Sequence, residues 1–82
     1  MRSKWIRFDL IDSTGKTNRW QVVTIDGSTV LGSVHWFGRW RQYAFFPLAD
    51  TVYERQCLRD IADFCETVTK QYRESKKGSI SA

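Results

Sequence analysis

The chain has 82 residues, a formal net charge of +4, 41% hydrophobic residues and 27% charged residues. This length supports one modest core and leaves no room for a separate active-site cleft. The apolar runs are too short to cross a bilayer, and the N-terminal segment lacks the continuous apolar stretch of a secretory signal. We therefore expect one domain that works in the cytoplasm without membrane contact.

Aromatic and β-branched residues concentrate in four segments of the first half of the chain, a composition typical of β-strands. These segments are Trp5–Ile11, Arg19–Ile25, Thr29–Phe37 and Trp40–Phe46. Turn signals separate them at residues 12–15, at Asp26-Gly27 and at Gly38. The pattern predicts an antiparallel meander of three or four strands, because the first segment is either an edge strand or an extended arm.

After Pro47 the apolar residues recur at helical spacing, from Cys57 to Tyr72, with charged residues on the other side. The helix begins either at Thr51, which forms a capping box with Glu54, or nearer Glu54 itself. Residues 75–82 have no apolar period, so we expect a flexible tail after a domain of residues 1–74. The fold class is α+β, with the sheet packed in two layers against one C-terminal helix.

The segment VHWFGRWRQYAFFP, Val34–Pro47, holds six aromatic rings and two arginines. One helix covers only one face of a sheet, so a face that carries rings stays uncovered. Alternation divides the last strand into two faces and leaves open which is buried. The two sets are Trp40, Gln42, Ala44 and Phe46, and Arg41, Tyr43 and Phe45. In the preceding strand we expect Val34 and Trp36 in the core.

The positive charge lies in the same half of the chain as the rings. Residues 1–47 hold seven Lys or Arg and three Asp, whereas residues 48–82 hold six of each sign. This distribution is typical of a surface that meets a polyanion, although scattered basic residues also serve solubility. We predict a nucleic acid partner, DNA rather than RNA. The candidate binding residues are Arg19, Trp36, Arg39, Trp40, Arg41 and Tyr43.

Catalytic and metal-binding patterns are missing from the sequence. His35 is the one histidine, and the glycines are too dispersed to cradle a phosphate. Cys57 and Cys65 lie eight residues apart on one predicted helix, about 12 Å along its axis, which is too far for a disulfide. We expect both cysteines to be core residues, and we expect no enzyme activity, metal or cofactor.

Three blocks together resemble a group of small, uncharacterised proteins of bacteriophage and prophage genomes. The blocks are WFGRWRQYAFFP at Trp36–Pro47, TVY at Thr51–Tyr53 and CLRDIADF at Cys57–Phe64. The resemblance implies an accessory phage product in the host cytoplasm, with host takeover, anti-defence or nucleic-acid binding as candidate roles. It implies no catalytic residue.

A second hypothesis uses the same rings for a protein contact. Aromatic rings with an arginine rim suit a protein interface, so the chain is alternatively a host-takeover or anti-defence factor that binds a host protein or a second copy of itself. In such a homodimer a small nucleotide could be held at the interface. The residue pattern leaves both hypotheses open.

Overall fold

The structure is a computed structural model that describes the backbone of residues 5–81 and the side chains of residues 5–75. Four antiparallel strands form one sheet in the order of the sequence, and a single helix follows. The elements are β1 (Ile6–Ser13), β2 (Asn18–Thr24), β3 (Val30–Phe37), β4 (Gln42–Pro47) and α1 (Arg55–Ser81). The predicted α+β class is confirmed, and the first segment is an edge strand paired with β2 rather than an arm.

Three hairpin turns join the strands, and each uses local hydrogen bonds. In the β2–β3 turn the Asp26 carboxylate accepts the Ser28 N–H and the hydroxyls of Thr24 and Ser28. These bonds, the Ser28 N–H first, lower the pKa of Asp26 to about 2. Gly27 follows in the left-handed region, with φ of 78°. The predicted Asp-Gly turn is therefore built around the carboxylate.

The core lies between one sheet face and the helix. Its buried members are Ile6, Val22, Leu31, Val34, Tyr43, Cys57, Ile61 and Val68. Leu31 reaches the core because the β2–β3 register shifts between Val22 and Val23, so that Leu31 is an extra residue in β3. Trp36 is half-buried and packs against this core, and Val34 is fully buried, which confirms the predicted inner face of β3.

The helix begins after Glu54, which caps it. The Glu54 carboxylate accepts the Cys57 N–H at 2.6 Å. Hydrogen bonds from the main chain of Gln56 and Cys57 lower the pKa of this carboxyl group. The Thr51 hydroxyl donates instead to the Leu48 carbonyl at 2.8 Å, so the capping box is wrong and the start nearer Glu54 is confirmed.

The helix continues through Ser81, beyond the predicted domain end at residue 74. The flexible-tail prediction for residues 75–82 falls largely outside the described residues, since side chains after residue 75 and Ala82 are not described. In the described part of the chain, no helix is long and apolar enough to span a membrane.

Two hydrogen bonds from α1 hold the outer side of β4. The main-chain N–H of Tyr43 donates to the Thr69 hydroxyl at 3.0 Å, and both residues are buried. Four residues later on the helix, the Arg73 guanidinium donates to the Arg41 carbonyl at 3.1 Å. These bonds fix α1 to β4, and the stacking of Phe64 on Phe8, with centroids 4.0 Å apart, shows that the helix also covers the inner face of β1.

Gly32 allows a close approach between β3 and β4. A Cβ at this position would overlap the Phe46 carbonyl oxygen and lie 2.8 Å from Phe45 Cε1 and 2.9 Å from Pro47 Cα. We expect Gly32→Ala to lower the free energy of unfolding by at least about 2 kcal/mol, because the backbone of β4 must shift. Gly38→Ala is the control, since its Cβ meets nothing within 4 Å. Equal denaturant midpoints for the two variants would contradict this account.

The Thr69 hydroxyl gives a second test of the packing. Thr69→Val keeps the shape of the side chain but removes the acceptor of the Tyr43 N–H, which becomes a buried, unsatisfied donor. We expect a loss of about 1–3 kcal/mol in urea unfolding. Thr67→Val, at an exposed position two residues earlier, should change stability by less than about 0.5 kcal/mol. A Thr69 variant as stable as the Thr67 variant would show that the bond contributes nothing.

Candidate functional site

The face of the sheet away from α1 carries a continuous row of aromatic rings. In order, their centroid separations are 4.8 Å from Trp40 to Phe37, 6.0 Å from Phe37 to Phe46 and 3.8 Å from Phe46 to His35. The last two rings are stacked, with an interplanar angle of 7°. We name these four residues the open-face ring row. It exists because residues of matching parity on β3 and β4 point away from the helix.

Trp40 extends the ring row beyond the end of the strands. It lies in the β3–β4 turn, is 62% exposed and turns its ring towards Phe37. Arg39 and Arg41 flank it and are also exposed. Arg41 adopts φ of 52°, outside the strand conformation, and its carbonyl is held by Arg73. The turn therefore presents an indole and guanidinium groups on a backbone fixed to the helix.

Arg19 lies at the other end of the ring row, beside His35. The β2–β3 register pairs Trp20 with Val34, so Arg19 and His35 are neighbours on the open face. Both line a depression of about 280 Å³, whose other lining residues are Asp12, Thr14, Thr17, Asn18 and Trp36. Partial burial, followed by the charge of Arg19, lowers the pKa of His35, so the imidazole is neutral at pH 7.

The charges on β1 balance each other. Arg7 and Asp9 form an ion pair at 3.2 Å on the open face. Asp12 stands opposite Arg19 in the β1–β2 register. Net positive charge on this side of the molecule therefore belongs to the β3–β4 turn and not to the edge formed by β1.

The structure separates the predicted site residues. Trp36 and Tyr43 lie on the helix face, where Trp36 contacts Tyr72 with centroids 4.5 Å apart and Tyr43 is only 5% exposed. The Tyr43 hydroxyl also accepts the Asn18 N–H at 3.1 Å. Tyr43 is therefore a core residue and not part of an exposed surface, whereas Trp36 is half-buried and lines the same depression as Arg19 and His35. Arg19, Arg39, Trp40 and Arg41 remain exposed.

Three members of the ring row were not among the predicted site residues. They are His35, Phe37 and Phe46. The signal that finds them is parity, because residues 35 and 37 of β3 share a face with residues 42, 44 and 46 of β4. Once Tyr43 is assigned to the core, these positions follow.

Neither cysteine has the surroundings of a reactive thiol. Cys57 is buried and Cys65 is half-buried, and both thiols are free. Burial raises the pKa of both, to about 11 for Cys65. Both pack in or against the core, which confirms their predicted role. Among the residues that the structure describes, no group of three His, Cys, Asp or Glu side chains is arranged to hold a metal ion.

The fold and the site together define a small α+β domain with one covered and one open aromatic sheet face. No protein-family model matches the chain, and no solved structure matches it. The sequence is similar to an uncharacterised 9.3 kDa protein of Acholeplasma phage L2, with 26% identity over 73 residues that cover 88% of this chain and 94% of that protein. This similarity is consistent with a small phage protein.

The pKa of His35 reports how far this ring is buried and how close the charge of Arg19 lies. We expect the His35 proton resonances to titrate below 6.5, and Arg19→Gln to raise the midpoint only part of the way, because burial remains. The neutral ring contributes stability that is complete above pH 6.5 and is lost as pH falls through the lower, folded-state pKa. NMR titration of this single histidine in the wild type and in Arg19→Gln measures both midpoints. Arg59→Gln, on the exposed helix face, should leave the midpoint unchanged.

Proposed function

We propose that this chain is a small accessory binding protein that binds single-stranded nucleic acid on the open face of its sheet. The observation that carries the proposal is the open-face ring row, which runs from Trp40 to His35 on the face that α1 leaves uncovered. The similarity to a phage protein supports an accessory role. The proposal assigns binding and no catalytic step to these residues.

The chemistry of the row suits unpaired bases. Trp40 offers an exposed flat surface, and His35, Phe37 and Phe46 extend it as half-buried rings. Base stacking on an exposed ring contributes about 1–3 kcal/mol per base without reading the sequence. A duplex hides these faces between its own base pairs, so it cannot use them. For this reason we propose a single strand, where the sequence alone favours DNA without specifying its form.

Arginines at both ends of the row supply contacts to phosphates. Arg19 stands beside His35, and Arg39 and Arg41 flank Trp40. Guanidinium groups bind phosphate oxygens through paired N–H donors. Three such contacts predict that the logarithm of the affinity falls with the logarithm of salt concentration at a slope of about −2 for a single strand.

The test compares two exposed tryptophans. Trp40 is 62% exposed at one end of the open-face ring row, and Trp5 is 52% exposed at the opposite end of the sheet, next to Ile25. We expect Trp40→Ala to weaken binding about tenfold, as loss of one stacking platform should, and Trp5→Ala to leave it unchanged. Fluorescence anisotropy of labelled single-stranded DNA, the RNA of the same sequence and the DNA duplex, at two salt concentrations, measures this.

Each outcome is informative. Tighter binding to DNA or to RNA decides which sugar the surface accepts, and a preference for duplex would contradict stacking on the rings. Absence of salt-dependent binding to all three probes would overturn the proposal. The ring row would then serve a protein contact, as the host-takeover or anti-defence hypothesis expects.

A further inference from the structure

The two edges of the sheet are finished differently. At the β4 edge the helix binds the outward N–H of Tyr43 through Thr69 and the carbonyl of Arg41, in the preceding turn, through Arg73. On β1 the Ile25 N–H donates to the Trp5 carbonyl, so these two residues form a hydrogen-bonded pair. Because such pairs alternate along an antiparallel ladder, the main chains of Arg7 and Asp9 also bond to β2. The main-chain groups of Phe8 and Leu10 therefore point outwards.

Within the residues that the structure describes, the outward main-chain groups of Phe8 and Leu10 bond to no other element, although the Phe8 ring packs on Phe64 of α1. The β1–β2 register is regular over Ile6–Leu10 and shifts only between Leu10 and Asp12. Leu10 is 59% exposed, and neither Pro nor Lys interrupts this stretch. Natural proteins often use Pro or Lys on an edge strand to prevent pairing with another chain. Without them, this stretch of β1 can pair with another strand.

The charged side chains of β1 favour pairing with a second copy of β1 in one register. On the open face Arg7 and Asp9 flank Phe8 symmetrically, one of each charge. A strand of the same sequence that runs antiparallel and is centred on Phe8 sets Arg7 against Asp9 of the second copy, and Asp9 against Arg7. Registers centred on Arg7 or on Asp9 instead bring two like charges directly opposite each other, which is destabilising.

We propose that this chain forms a homodimer through the β1 edge, with Phe8 opposite the same residue of the second copy. The two Phe8 residues exchange N–H to carbonyl hydrogen bonds across the two-fold axis, and the two Arg7–Asp9 pairs become a ladder of four alternating charges. The result is an eight-stranded antiparallel sheet. Both helices lie on one face of it and both ring rows on the other, since the axis is perpendicular to the sheet.

Two opposite charge changes test this register. Asp9→Lys places positive charge at both positions, and Arg7→Glu places negative charge at both, while each removes the same Arg7–Asp9 ion pair. In the proposed dimer each variant alone faces two repulsive pairs, so we expect dimerisation to weaken at least about tenfold. An equimolar mixture restores both attractive pairs, and the heterodimer should recover. Arg7→Glu combined with Asp9→Lys in one chain should dimerise without a partner.

Light scattering coupled to gel filtration gives the mass, which should be twice 9.7 kDa for the wild type, the mixture and the double variant. Thermal unfolding shows that the single variants are folded, and Arg59→Glu controls for a charge change away from β1. A monomeric wild type, single variants that stay dimeric, or a mixture that does not recover would each overturn the proposal. No nucleic acid is present, so the result is independent of the proposed function.

Discussion

A single helix faces a four-stranded sheet that has two aromatic faces, and this mismatch determines the rest of the structure. The helix can cover only one face, so the choice of face divides the rings into core and surface. The choice is fixed at Tyr43, whose main-chain N–H binds Thr69 and whose hydroxyl accepts the Asn18 N–H. Because these bonds join β4 to α1 and to β2, the orientation of one residue positions three elements.

The strands, their pairing order and the helix follow from periodicity and turn residues, which act locally. Periodicity does not show which alternate residues of β4 face the helix, since Tyr43 and Phe46 are similar in size and hydrophobicity. It depends on polar partners 25 and 26 residues away in the chain, and alternation carries no information about them. Arg41 shows a second limit: its φ of 52° ends the strand pattern one residue before Gln42.

The sequence predicted the arginines and Trp40 of the candidate site better than it predicted which other aromatic residues line it. The arginines and Trp40 are exposed as expected, because charged groups and turn residues stay in water whichever face is buried. Trp36 and Tyr43 were included among the binding residues on their chemistry, although Trp36 was also expected in the core, and tertiary packing places both against α1. His35 and Phe46 could be recognised only after that packing was known, since a stacked pair needs two strands in register.

The balance of charge differs between the two sides of the open face. On β1, Asp9 and Asp12 accompany the basic residues, so a phosphate there meets acidic as well as basic groups. At the β3–β4 turn, Arg39 and Arg41 have no acidic neighbour in the sequence between Val34 and Pro47. A nucleic acid strand on this face would therefore follow the ring row on β3 and β4 and avoid β1. The proposed dimer edge and the proposed binding surface thus lie on different strands, so the two proposals do not compete for the same residues.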